Sequence, residues 1–192
     1  MTEVVLGLQR TRALGASDCE DIGGGLLAQP VATLSSLAYV AAGWWLVLRY
    51  RTLPVEQRRV GSLYACLLML CGVGSVAYHG PQSSLAGPLH DVPIVLLLGM
   101  AVLTPLVRLV RGRRVLGPGG TRHVMVLLGA LLVGSGAAYL AGRTGGALCD
   151  PTSLVQAHAL WHVGTAVALA LWGTVLWPSS SGAGGRRDRV RG

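Results

Sequence analysis

Five apolar runs, at 26–48, 60–79, 91–107, 123–141 and 154–177, take up most of the 192 residues. Each is close to the ~20 residues an α-helix needs to cross a hydrocarbon core. In such a medium every backbone N–H and C=O must be satisfied within the chain, which leaves helices as the economical solution. Only 12% of the residues are charged, about half the share usual in a soluble domain. The expected fold is an all-α integral membrane protein, a bundle of about five transmembrane helices. Residues 1–25 form a polar lead-in, 26–177 the membrane domain and 178–192 a disordered basic tail rich in Ser, Gly and Arg. The first twenty residues hold no compact apolar segment of a signal peptide.

The net charge of +8 comes entirely from arginine, and the arginines sit between the apolar runs. They read as topology signals and not as a nucleic-acid surface. Four follow the first run (Arg49, Arg51, Arg58, Arg59) and five lie between the third and fourth (Arg108, Arg111, Arg113, Arg114, Arg122). Four more lie in the tail, against none between the second and third runs and Arg143 alone between the fourth and fifth. Arg10 and Arg12 in the lead-in argue mildly the other way but do not outweigh these thirteen, and the positive-inside rule places the N-terminus outside and the C-terminus inside. The use of Arg without Lys, with abundant Gly, Ala, Leu and Val, suggests a GC-rich bacterial source and hence a bacterial cell membrane.

With that orientation, one membrane boundary receives the end of the second run, the start of the third and the start of the fifth. These places hold His79, Asp91, and His158 with His162. His158 and His162 are four residues apart and share one helix face, a spacing suited to holding a metal. The acidic cluster Asp18, Glu20 and Asp21 falls on the same side. Ser75 lies one turn below His79 on the same face. Ionisable side chains are costly inside a membrane and mark functional sites by default.

Three neutral imidazoles leave one position of a tetrahedral Zn²⁺ open, where a water becomes acidic enough to act as nucleophile. Asp91 is the candidate general base, and Ser75 the candidate donor to a developing oxyanion. The competing reading is a buried polar network that packs helices, and for Ser75 a small residue beside Gly72 and Gly74. His90 and His123, at run ends, read as interfacial residues, and Cys66 and Cys71 as packing residues.

Taken together, Asp18-Cys19-Glu20, Pro30-x-x-Thr33-x-Ser35, Ser75-x-x-x-His79, Asp91 and Cys149…His158-x-x-x-His162 resemble the alkaline ceramidase family. That family belongs to the CREST superfamily of membrane hydrolases. The motifs occur in the family's order and span residues 18–165. The resemblance implies Zn²⁺ on His79, His158 and His162, with Ser75 and Asp91 in the roles above. It further implies hydrolysis of the amide bond of a ceramide-like membrane lipid.

The chain departs from the family in having five apolar runs where the family has seven spans. The family's calcium motif keeps Asp18 and Glu20, making them candidate Ca²⁺ ligands. However, its Trp is missing, Gln29 stands near a later Glu, and Ala32 replaces an Asn. Topology puts Cys19 and Cys149 on the oxidising side, and the resemblance places cysteines there too, so a Cys19–Cys149 disulfide is expected. Two other functions share these motifs: a receptor-like or structural membrane protein that retains the metal, and a lipid-remodelling acyltransferase.

Overall fold

The structure, a computed structural model, describes residues 14–112, 115 and 121–178. Residues 1–13 of the expected lead-in and 179–192 of the expected tail lie outside the described residues. The described chain is all-helical: α1 (Pro30–Ser35), α2 (Leu37–Tyr50), α3 (Val55–His79), α4 (Ala86–Val110), α5 (Thr121–Ala141) and α6 (Ala157–Leu176). Counting α1 and α2 as one span, five helices are long and apolar enough to cross a membrane. This is the architecture of a multi-pass membrane protein.

Two helix starts differ from the sequence reading. The first helix begins at Pro30 and not at 26, because Ala28 and Gln29 give their N–H groups to Gly80 O and His79 O at the end of α3. Pro30 then takes the first helical turn, where its missing N–H costs nothing. The third begins at Ala86 and not near Asp91, since Pro88 falls in the first turn of α4, where proline is tolerated. Asp91 therefore lies well inside the helix rather than at its mouth.

Ser36, which keeps helical dihedrals and bonds its N–H to Ala32 O, links α1 to α2. The N-terminus of α1 is capped from a distance: the Glu20 carboxylate accepts from Val31 N–H at 2.7 Å and Ala32 N–H at 2.8 Å. A carboxylate there satisfies two helix-end donors and faces the positive end of the helix dipole.

The core is built from α2, α3 and α6, with Tyr39, Leu46, Tyr50, Tyr64, Leu68, Leu176 and Trp177 buried among them. Helices without a hydrophobic drive between them pack closely through small residues. Gly72 lets α3 approach the Ser36 carbonyl, and Gly74 lets it approach the Leu89 carbonyl of α4. Pro93 lacks the N–H that would have bonded Leu89 O within α4, so that carbonyl is left to face α3.

α2 packs on α3 and α6, α3 on α4, and α5 on α6, whereas the Cα atoms of the consecutive α4 and α5 stay more than 8 Å apart. The outward faces of α4 and α5 carry exposed Val95, Val102, Leu106, Val126 and Val133, as a lipid-facing surface would.

The lead-in lies across the end of the bundle formed by the last turn of α3 and the first turn of α6. Cys19 N–H reaches Gly142 O at 3.2 Å, Thr144 N–H reaches Ser17 O at 3.0 Å, and Asp21 N–H reaches Pro151 O at 3.2 Å. The Cys19–Cys149 disulfide is present, with Cα atoms 5.3 Å apart, and fastens this segment to the α5–α6 loop. Cys66 and Cys71 are free.

Candidate metal centre

His79 occupies the last turn of α3, while His158 and His162 occupy successive turns at the start of α6. All three are buried, and each brings one potential ligand atom within 4.8 Å of the others. Around a tetrahedral zinc, nitrogens stand about 3.3 Å apart, so the cluster has the dimensions of a metal site before small side-chain adjustments. The rings meet edge to face, with centroids 4.5 Å apart for His158 and His162, and 5.1 and 5.2 Å from His79 to each.

What fits these rings to a metal is the way their other nitrogens are used. His79 Nδ1 lies 2.7 Å from Gln29 Oε1. The Gln29 amide orientation is set by its Nε2, which donates to Gly15 O at 3.1 Å and Glu20 O at 2.9 Å. Oε1 must then accept, so His79 carries its proton on Nδ1 and keeps Nε2 free. His162 Nδ1 lies 2.9 Å from Ser35 Oγ, which donates its own proton to Ala32 O at 3.0 Å. By the same logic His162 is the Nδ1–H tautomer.

His158 Nδ1 faces Asp18 Oδ1 at 3.4 Å without making a full hydrogen bond. Metal-bound histidines ordinarily hold their second nitrogen on an oxygen acceptor in this way. The three Nε2 atoms are the nitrogens left for a common ligand.

A cavity of about 350 Å³ adjoins the cluster, lined by Ser75 on the polar side and by Ile94, Leu97, Leu98, Leu132 and Leu169 on the apolar side. It extends between α4 and α5, the two helices that do not pack together. Ser75 is buried on its wall, with Oγ 2.8 Å from Ser36 Oγ. Ser36 in turn donates to Ala32 O at 2.7 Å, so the shared proton of the pair belongs to Ser75. Tyr39 closes the floor, its ring against His162 and its hydroxyl 2.5 Å from Thr165 Oγ1.

Two sequence expectations are corrected here. Asp91 does not line the cavity: its side chain is 74% exposed and bonds His90 Nδ1 at 2.7 Å. The reason is helix phase, since α4 begins before Asp91 and turns His90, Ile94, Leu97 and Leu98 inward. His90, read from the sequence as an interfacial residue, is the α4 side chain that reaches the cavity and stacks on Tyr78 at 4.5 Å. Its spacing of four, seven and eight residues to the apolar lining was the available signal.

Asp18 and Glu20, the candidate Ca²⁺ ligands, are drawn apart onto different partners. Both Glu20 oxygens cap α1, while Asp18 Oδ1 faces Arg143 Nη1 at 3.5 Å and His158. Sequence reasoning had not given Gln29, Ser35 or Arg143 any part in holding the histidines. No family model, curated protein or solved structure matches the chain.

Proposed function

We propose that the protein is a zinc-dependent amide hydrolase of the membrane, similar in its chemistry to the alkaline ceramidases, acting on an N-acylated lipid. The observation that carries this reading is the convergence of three buried histidines whose outer nitrogens face Gln29, Ser35 and Asp18. Zn²⁺ on His79, His158 and His162 supplies Lewis acidity toward an acyl carbonyl and an acidified water as nucleophile. Three protein ligands and an adjoining cavity are the pattern of a catalytic centre, whereas structural zinc is closed by a fourth side chain.

The chain's own groups complete the reading. Ser75, buried on the cavity wall, gives its hydroxyl proton to Ser36 Oγ and can turn it toward the oxygen of a bound carbonyl. Asp91 acts on the cavity through His90: it takes the Nδ1–H and leaves Nε2 of His90 to accept or return a proton. The apolar lining between α4 and α5 suits an acyl chain arriving from the bilayer. The arginine pattern and the disulfide both favour an outward-facing site in a cell membrane, since disulfides persist on the oxidising side.

Purified protein is expected to hold about one zinc per chain and to release fatty acid from an N-acylated sphingoid lipid in mixed micelles. Substituting His79, His158 or His162 by Ala removes both. Full zinc occupancy in the His158→Ala, His162→Ala double variant overturns the assignment, and zinc without fatty-acid release overturns the hydrolase.

A further inference from the structure

Of the three histidines, His158 is the one whose outer nitrogen no uncharged group serves. Its Nδ1 is buried with no hydrogen-bond partner, and Asp18 Oδ1 stands 3.4 Å away. Both side chains are almost fully enclosed, at 7% and 6% exposure. A carboxylate is costly in such a place unless it is paired. Arg143 provides the pairing: its Nη1 lies 3.5 Å from the same Oδ1, and Nη1 also donates to Tyr139 Oη at 2.6 Å. The guanidinium lies 5.1 Å from the Tyr139 ring centroid, and Tyr139 packs on His158 with centroids 5.8 Å apart.

The backbone repeats this arrangement, since Asp18 and Arg143 form an isolated antiparallel bridge. Thr144 Oγ1 donates to Ala16 O at 3.1 Å, and the neighbouring Cys19 is bonded to Cys149. The lead-in is thus held at three successive points, and among its described residues Asp18 is the charged side chain that faces His158.

We propose that Asp18 is a positioning residue of the metal centre, fixing the ring and tautomer of His158, with Arg143 as the built-in cation that pairs with the carboxylate and holds it in place. The inference rests on the metal reading above. The pair does for His158 what Gln29 does for His79 and Ser35 for His162, but with charge. A carboxylate behind a ligating imidazole makes the ring a stronger donor and offsets part of the charge of a divalent ion. It also gives Asp18 a purpose that needs no second metal, because the cation beside it belongs to the chain.

The test measures Zn²⁺ affinity by chelator competition, and the visible spectrum of the Co²⁺-loaded protein, on full-length protein in detergent. Asp18→Asn preserves shape and removes charge, and is expected to weaken zinc 10–100-fold and to shift the Co²⁺ bands. Arg143→Gln is expected to do the same to a smaller degree. Asp18→Glu restores the charge and is expected to recover part of the affinity. Asp21→Asn removes an exposed carboxylate from the same segment without touching His158 and is expected to leave both readouts at wild-type values. The intact Cys19–Cys149 disulfide and an unchanged melting temperature establish that the variants are folded. If wild type binds zinc and Asp18→Asn binds it equally well with an unchanged spectrum, the positioning role is overturned while the metal centre stands. An equal loss of affinity in Asp21→Asn also overturns it, because the effect would then belong to the charge of the segment and not to the contact with His158. Wild-type protein that binds no divalent metal overturns both readings.

Discussion

Nδ1 of His79 and Oε1 of Gln29 are 2.7 Å apart, and this contact joins the end of α3 to the segment that enters α1. Gln29 is fully buried and uses every polar atom of its side chain: Oε1 on His79, and Nε2 on Gly15 O and Glu20 O. Its backbone N–H also reaches His79 O at 2.8 Å. One residue therefore sets a ligand's tautomer and ties down the lead-in.

Gln29→Leu leaves two buried polar groups, His79 Nδ1 and Glu20 O, without their partner, each worth about 1–3 kcal/mol of stability, while Gly15 O keeps the Asp18 N–H. A lower melting temperature is expected, together with a 10–100-fold loss of zinc affinity from the unanchored His79 ring. Thermal denaturation and chelator competition check the two effects separately. Wild-type zinc affinity in a folded Gln29→Leu protein would show that His79 needs no such support.

His90 and Asp91 are expected to behave as one unit, because Asp91 meets the cavity only through His90. His90→Gln and Asp91→Asn should each retain zinc and lower turnover by ~10²-fold or more, the usual contribution of a positioned proton acceptor. The double variant should lose little beyond the worse single variant, since residues acting in series are not additive. Multiplying losses in turnover measurements would mean that Asp91 acts on its own.

Gly74 is expected to be the least replaceable glycine near the site. A Cβ there would overlap the Leu89 carbonyl, which is backbone and has no rotamer to yield. Gly74→Ala should cost about 1–3 kcal/mol as an overpacked helix contact and should move His90 away from His79, lowering activity as well. Gly99 of α4 has nothing within 4 Å of a built Cβ, so Gly99→Ala should be neutral or gain up to ~1 kcal/mol from helix propensity. Melting curves in detergent compare the two.

Cys19 and Cys149 are separated by 130 residues, and closing so long a loop contributes up to about 5 kcal/mol in the chain-entropy model. Reduction should lower the melting temperature and weaken zinc, because the bond secures the segment that carries Asp18. In unfolded, unreduced protein a thiol reagent should label Cys66 and Cys71 and leave Cys19 and Cys149 unmodified. Labelling of all four would show that the bridge does not form.

Hydrophobic runs and arginine spacing were enough to yield the number of long helices, because the length of chain needed to cross a bilayer is fixed by geometry. The four-residue interval was likewise enough to put His158 and His162 on one face, since helix periodicity is local. The same reasoning brought His79 to their depth. The facing of α4 was a different matter. Whether His90 or Asp91 meets the cavity depends on where α4 begins and how it rotates against α3, and that is decided by the Gly74–Leu89 approach and by prolines at 88 and 93. Gln29, Ser35 and Arg143 were equally hidden, being polar residues 50, 127 and 15 positions from the histidines they serve or help to serve. Local pattern sets which residues share a helix face. Only the packing of one helix on another, and of the lead-in across their ends, determines which oxygen stands behind each imidazole.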